Sequence, residues 1–256
     1  MSTTPSTGAR RAPEPSVPLE ELIHSREHDV LRGVAASARL TEDLALSLLA
    51  RRDLPSQALE AVSKNPAVMK HRKVIVAVVS HPQTPRHVSL PMARHLYTFE
   101  AMQIALTPVI AADLKVALEE LLLQRMDSIS SGERLTLAKR GSTRVAAALL
   151  CDPEERVMNA ALQNPYATEA WIVKALMKDD ATGALVLAVS RDPKWSLRRD
   201  VQVALLRNDK TPLARAIAIA EKLPTQLLRD VLRHSRLEAK VKTYLQALLQ
   251  RRSGRE

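Results

Sequence analysis

The sequence predicts an all-α protein built from stacked helical repeats, that is, an α-solenoid. Three observations support this: apolar stretches that repeatedly end at a polar residue and proline, few glycines, and an aliphatic composition. Such a recurring mark indicates repeats, because a short helical unit cannot bury its apolar face alone. The marks are Asn65-Pro66, His81-Pro82, Thr107-Pro108, Asp152-Pro153, Asn164-Pro165, Asp192-Pro193 and Lys222-Leu223-Pro224.

The composition favours closely packed helices. The 256 residues include one Phe, three Tyr and two Trp, so Ala, Leu and Val must supply most of the core. Six glycines argue against hairpin-rich β folds and glycine-rich phosphate loops. The β-branched run 74–79 is predicted as a short, fully buried helix, because no similar segment exists to pair with it as a strand.

Three segments are expected along the chain. Residues 1–18 are rich in Pro, Ser and Thr and predict a disordered N-terminal tail. Residues 19–250 carry a continuous apolar pattern and predict the helical repeat solenoid. Residues 251–256 have nothing to bury and predict a disordered, basic C-terminal tail.

Helix starts are expected at hydroxyl residues, whose oxygen accepts a hydrogen bond from a first-turn amide. Ser130 and Glu133 have the spacing of a capping box. Pro91 is expected to kink a helix or delay its start. The other expected caps are Thr41, Ser56, Thr84, Thr98, Thr168, Ser196 and Thr211.

Two segments, 71–96 (HRKVIVAVVSHPQTPRHVSLPMARHL) and 156–178 (RVMNAALQNPYATEAWIVKALMK), resemble the repeat of the variant leucine-rich repeat group. The broader HEAT-like superfamily of α-solenoids is similar. The resemblance implies a right-handed α-α superhelix with a concave face that holds other macromolecules, and it supplies no catalytic residues. The matching structural marks are Asn65, Pro66, His81, Pro82, Pro85, Asn164, Pro165, Asp192 and Pro193.

The net charge is +10, and the excess of Lys and Arg over Asp and Glu is largest towards the C-terminus. Residues 213–256 carry ten Lys and Arg against four Asp and Glu. A basic end attracts nucleic acid, anionic lipid or an acidic protein. The alternative is a solvated helix surface with no charged partner, because Lys and Arg also favour helices and shield apolar stripes.

The sequence predicts a cytoplasmic protein. Its single cysteine, Cys151, excludes an internal disulfide and any Cys-ligated zinc or iron–sulfur cluster. The N-terminal segment lacks the apolar region of a secretory signal, and no stretch approaches 18 uncharged apolar residues.

No catalytic residue, metal ligand or cofactor is predicted. His24 and His28 have helical i, i+4 spacing, but the Glu of an HExxH site is absent. Cys151 is followed by carboxylates that would raise its pKa, so it is expected to be a poor thiolate. The acidic pairs Glu119-Glu120 and Glu154-Glu155 lie about 100° apart on a helix and are interpreted as solvated faces.

Two basic segments are candidates for partner binding. The first combines aromatic and basic residues, because an exposed indole beside cations can stack on a base or grip an acidic peptide. The alternative is that Trp195 fills the junction between repeats. The second segment places basic residues at the start of a helix, where the helix dipole disfavours cations. The candidates are Lys194, Trp195, Arg198, Arg199, Trp171 and Lys174 in the first segment, and Lys70, Arg72 and Lys73 in the second.

The preferred hypothesis is a non-enzymatic scaffold that binds another macromolecule, with a protein as the expected partner, through its concave or basic surface. The alternative is a nucleic-acid-binding HEAT-like protein, in its sharper form a DNA-repair glycosylase-like enzyme. The chemistry of such a glycosylase requires an acidic residue and aromatic residues together in one basic groove. No such set of residues can be identified in the sequence. A third possibility is a docking subunit whose C-terminal helix is covered by a partner.

Overall fold

The computed structural model describes residues 18–253, and every regular element within that range is helical. The all-α prediction is therefore confirmed. Residues 1–17 and 254–256, which hold most of the two predicted tails, lie outside the described residues. The described chain forms two compact units, which are treated separately below.

The first unit comprises residues 18–96 and 107–114 of the described chain. In this unit α2 packs on α4, α3 on α6, and α6 on α7, and the packed faces carry aliphatic side chains such as Leu31, Leu59 and Val74. Its helices are α1 (Leu19–Leu22), α2 (His28–Ala36), α3 (Glu42–Leu49), α4 (Ser56–Lys64), α5 (Pro66–Met69), α6 (Arg72–Ser80) and α7 (Arg86–Ala93).

The second unit comprises residues 97–106 and 115–253. Its helices include α8 (Thr98–Ala105), α10 (Ser131–Arg140), α11 (Thr143–Ala148), a 3-10 helix (Leu149–Cys151), α12 (Glu155–Leu162), α13 (Glu169–Leu176), α14 (Gly183–Arg191), α15 (Arg199–Arg207), α16 (Leu213–Ala220), α17 (Thr225–Arg233) and α18 (Ala239–Ser253). The remaining helix, α9 (Ala112–Gln124), begins in the first unit and continues into this one. Contacts recur between helices two positions apart, as in α10 with α12, α13 with α15 and α16 with α18.

Polar side chains at several helix ends link one helix to the end of an earlier one, and we call these contacts helix-end links. Asn164 follows α12, and its Nδ2 donates to the carbonyls of Ala138 (2.7 Å) and Gly141 (3.2 Å) at the end of α10. Its Oδ1 accepts from the Tyr166 amide at 2.7 Å, which turns the chain after the helix. Side chains elsewhere bond a carbonyl 28–33 residues earlier in the same way: Asn65 to Ala35 and Ser37, His81 to Arg51, Trp195 to Leu162, Asn208 to Leu176, and Ser235 to Leu206.

Gly141 ends α10 where the sequence lacks a polar-proline mark. A Cβ atom at this position would lie 2.5 Å from the Leu137 carbonyl oxygen and 3.1 Å from a Val145 methyl carbon. The close approach of the backbone therefore requires glycine. Its own carbonyl is one of the two acceptors of Asn164, so this helix end joins the same set of links.

The predicted helix caps are correct in part. Thr41 accepts from the Leu44 amide, and Ser130 with Glu133 forms the expected capping box. Thr168 occupies an N-cap position without a side-chain bond. Ser56 and Thr98 are instead the first helical residues, and Ser196 precedes α15 by three residues.

The Thr-Pro pairs have a different role from the predicted cap. The Thr84 hydroxyl donates to the Val78 carbonyl at 2.6 Å, and the Thr211 hydroxyl donates to the Leu205 carbonyl at 2.6 Å. Each hydroxyl therefore satisfies a carbonyl of the preceding helix rather than an amide of the next one. The proline that follows each threonine occupies the N-cap position of the next helix.

Three further expectations meet mixed outcomes. The β-branched run 74–79 is helical as predicted, but Ile75 and Val76 are half-buried rather than fully buried. Pro91 lies inside α7 and does not delay its start. At the C-terminus α18 extends through residues 251–253, which the sequence assigned to the tail. Arg252 anchors this end, because its guanidinium donates to the carbonyls of Ala220, Glu221 and Leu223.

Candidate partner-binding groove

The structure places the basic residues of the second predicted segment in the first unit, around the start of α6. Lys70 and Lys73 are exposed there. Arg72 is half-buried, and its guanidinium donates to the His95 carbonyl at 2.8 Å. Arg72 thus ties α6 to the segment after α7, which gives it a structural role in addition to its charge.

Trp195 is not an exposed stacking surface. Its side chain is 2% exposed, and its Nε1 donates to the Leu162 carbonyl at the end of α12, at 3.0 Å. The Lys194 ammonium covers the indole at 4.1 Å from the ring centroid. Trp195 therefore fills a junction between helices, which is the alternative interpretation of the sequence. Arg198 and Arg199 are exposed, and their role in partner binding stays a prediction.

Trp171, by contrast, lines a groove in the second unit. This groove has a volume of about 360 Å³, and we call it the aromatic groove. Trp171 is half-buried in α13, and the Lys174 ammonium lies 4.7 Å from its ring centroid. The aromatic groove is lined by Leu106, Lys115, Glu119, Ser142, Thr143, Arg144, Tyr166 and Trp171.

Local structure explains how the aromatic groove is assembled. Tyr166 lies in the turn that the Asn164 side chain stabilises, and its own ring is 52% exposed. The Thr143 hydroxyl at the start of α11 donates to the Tyr166 carbonyl at 2.9 Å, which joins two walls of the groove. The side-chain bonds of Asn164 and Thr143 therefore position Tyr166 in the groove.

Charges of both signs line this groove. Arg144 is partly exposed and pairs with Glu120 at 3.4 Å. Lys115 is exposed on α9, whereas Glu119, one turn later on the same helix, is only 7% exposed. The cations thus lie at the rim and one carboxylate lies deep.

Two polar groups of the aromatic groove lack a partner among the described residues. Glu119 is 7% exposed and makes no hydrogen bond and no ion pair there, although its carboxylate oxygens are not sealed from solvent. The Ser142 hydroxyl oxygen, by contrast, is fully buried and has no hydrogen-bond partner within residues 18–253. Of the two, only the Glu119 carboxylate is therefore open to a ligand in the groove.

The sequence interpretation of Glu119 as part of a solvated face is wrong. Adjacent residues on a helix point about 100° apart, so one member of the Glu119-Glu120 pair turns inward while Glu120 stays exposed. The signal available in the sequence was the apolar stripe Leu114, Leu118 and Leu122, which flanks Glu119 on the buried side of α9. Tyr166, Arg144 and Lys115 were also missed, since they come from three separate segments.

Two larger grooves carry weaker chemistry. One, of about 630 Å³, lies between α2 and α4 and is lined by small residues such as Gly33 and by charged residues of both signs, such as Arg32 and Glu60. The other, of about 600 Å³, lies between α13 and α15 and contains Arg207, whose Nε is buried without a partner in the described chain. Neither contains an aromatic side chain or a buried, unpaired carboxylate.

Residues considered for other chemistry do not form a site. Burial raises the pKa of the Cys151 thiol, and the charge of Asp180 raises it further. The thiol is thus a poor nucleophile, but burial and Asp180 are the cause, rather than the adjacent carboxylates. Within residues 18–253 no group of three or more His, Cys, Asp or Glu side chains is placed to hold a metal ion. No helix in that range is long and apolar enough to cross a membrane.

Comparison with known proteins yields no match to a family model, to a curated protein or to a solved structure. The resemblance to variant leucine-rich and HEAT-like repeats therefore stays a prediction.

Proposed function

We propose that this protein is a non-enzymatic helical-repeat scaffold that binds another protein through the aromatic groove. In this proposal the helices form a right-handed α-solenoid of the HEAT-like or variant leucine-rich type. Two features support it: packing between helices two positions apart, and side-chain links to carbonyls about 30 residues earlier. A regular spacing of both kinds is what stacked repeats produce.

The aromatic groove is the observation that supports binding. Tyrosine and tryptophan are enriched at the centres of protein interfaces, because they bury a large area and lose few rotatable bonds. The groove has both, together with two cations and two carboxylates, Glu119 and Glu120, in or beside it. Mixed charge of this kind matches a protein surface better than a continuous polyanion, which the two carboxylates would repel.

The proposed compartment is the cytoplasm. A single, half-buried cysteine is consistent with a reducing environment, because such proteins do not depend on disulfides.

A matched pair of tyrosine variants tests the proposal. Tyr166→Ala removes an exposed ring from the aromatic groove, whereas Tyr244→Ala removes a similarly exposed ring, 49% exposed, from α18. Affinity capture from the native cells, with mass spectrometry, should give a protein that wild type and Tyr244→Ala retain and that Tyr166→Ala loses. If every captured protein is retained equally by both variants, the groove is not the binding site.

Nucleic-acid binding is the second candidate, and one observation favours it. The aromatic groove brings together an acid, Glu119, two aromatics and two cations, the combination that the sequence did not align. Aromatic side chains can stack on bases, and cations can contact phosphates. This candidate predicts binding to single-stranded or duplex oligonucleotides in about 50 mM salt that weakens steeply as salt increases. Undetectable binding under that condition eliminates it.

A further inference from the structure

We infer that the aromatic groove accepts an arginine side chain of the partner protein, which donates to Glu119, and that an acidic residue next to this arginine contacts the rim. The inference rests on the proposed protein-binding function and specifies the chemistry of the partner at that site. It assigns a hydrogen-bond donor to the Glu119 carboxylate, which lines the groove without a partner among the described residues.

The Glu119 carboxylate favours a ligand that donates hydrogen bonds. It lines the groove, and its oxygens remain open to solvent. A carboxylate can only accept, and Glu119 has no donor among the described residues. A ligand that brings several N–H groups and a positive charge would pair with it in the groove.

Arginine fits this environment better than lysine. Its guanidinium is planar, carries five donors and is weakly hydrated, so it both stacks on aromatic faces and pairs with a carboxylate. Tyr166, which is 52% exposed, supplies the aromatic face, because the Lys174 ammonium already lies over the Trp171 ring. Lysine offers a compact, strongly hydrated charge that loses more on entering such a groove.

The rim charges specify what lies beside the arginine. Lys115 is exposed at the rim and forms no ion pair with a described residue, while Arg144 is already paired with Glu120. A second cation from the partner would be repelled there, whereas an aspartate or glutamate adjacent to the arginine would find Lys115. The groove therefore favours a segment in which arginine stands next to acidic residues.

Defined peptides test this inference. The probes are a blocked hexapeptide with one arginine flanked by aspartate and glutamate, and the same peptide with citrulline, which keeps the shape but not the charge. Isothermal titration calorimetry should show that citrulline weakens binding by about tenfold to a hundredfold, the range for a hydrogen bond to a charged group. A lysine peptide should bind more weakly than the arginine peptide.

The variant Glu119→Gln separates recognition from folding. It should weaken binding of the arginine peptide by a similar factor and leave the citrulline peptide unaffected, because the two changes remove the same interaction. It should leave the urea unfolding midpoint close to that of wild type, because the carboxylate that it replaces makes no hydrogen bond or ion pair within residues 18–253. Glu155→Gln, an exposed carboxylate on α12, is the control and should change neither property.

Several outcomes would overturn the inference. One is equal binding of the arginine and citrulline peptides, another is an equal loss of both in Glu119→Gln, and a third is binding of none of the peptides. Preferential binding of a mixed single-stranded oligonucleotide would also contradict it. If Tyr166→Ala loses the cellular partner while Glu119→Gln retains it fully, the proposed scaffold function stands and only the arginine site fails.

Discussion

Replacing Asn164 by alanine should destabilise the second unit strongly, although the residue belongs to no site. The side chain is 1% exposed. It donates to the carbonyls of Ala138 and Gly141 and accepts from the Tyr166 amide. Alanine leaves all three backbone groups without this partner, the two carbonyls at buried positions and the Tyr166 amide at a partly buried one.

The magnitude follows from these three bonds. Each intramolecular hydrogen bond contributes a net 0.5–1.5 kcal/mol, roughly, and an orphaned buried group costs about as much or more. The expected loss in the free energy of unfolding is therefore about 3 kcal/mol. With an m-value of about 2 kcal/mol per molar urea, the unfolding midpoint should fall by about 1.5 M.

Urea unfolding, followed by far-ultraviolet circular dichroism and by the fluorescence of Trp171 and Trp195, measures this change. The matched control is Asn159→Ala, an asparagine on the exposed side of α12. Its substitution should alter the free energy of unfolding by less than about 0.5 kcal/mol, as is usual for surface sites. If Asn164→Ala and Asn159→Ala unfold at the same urea concentration, the helix-end link does not stabilise the fold.

Four other changes have defined outcomes. Gly141→Ala should destabilise the protein by about 1–3 kcal/mol, because the new Cβ would collide with a backbone carbonyl. Gly33→Ala, with nothing within 4 Å, should stabilise α2 by roughly 0.5–1 kcal/mol. Trp195→Phe loses a buried hydrogen bond and should cost about 1–2 kcal/mol. Hydrogen bonds from the Ser130 amide and hydroxyl lower the pKa of Glu133. Lowering the pH should therefore reduce the free energy of unfolding of Glu133→Gln less than that of wild type.

The sign of the acid effect follows from linkage. Because the pKa of Glu133 is lower in the folded than in the unfolded protein, its contribution is present above the unfolded pKa and is lost as pH falls through the folded value. Thermal unfolding across pH 3–6, roughly, gives the comparison, and parallel curves for Glu133→Gln and wild type would contradict it. For the glycines, a destabilised Gly33→Ala or an unaffected Gly141→Ala would refute the steric argument. If Trp195→Phe has the same urea midpoint as wild type, the Trp195 hydrogen bond does not contribute about 1–2 kcal/mol to the free energy of unfolding.

The helix ends show which features of the fold can be predicted from the sequence and which cannot. Asn164-Pro165 identified a helix terminus correctly, because a short polar side chain and a proline both stop a helix for local reasons. The acceptors of Asn164 lie 23 and 26 residues earlier, and only the stacking of α12 on α10 brings them into reach. The helix cap predicted at Thr84 was wrong for a related reason, since its hydroxyl donates to a carbonyl of the preceding helix.

The aromatic groove was predictable only in part. Trp171 and Lys174 were selected from the sequence because they combine an aromatic with a cation, and their contact is local, three residues apart. Glu119 comes from α9, about 50 residues earlier in the sequence, and its burial depends on which face of that helix is covered. Trp195, like Trp171, has a lysine close to it in the sequence, yet it is buried, so a neighbouring cation alone could not separate the two.

The helix-end links have a consequence for how such a chain can diverge. Each link uses one specific side chain, but its acceptor is a main-chain carbonyl, which every amino acid provides. The earlier helix is therefore free to change nearly all its residues without breaking the bond. A single asparagine, histidine or serine per segment can make this bond and hold the register between two packed helices. Proteins that descend from one ancestor can therefore retain this architecture after their sequences have diverged.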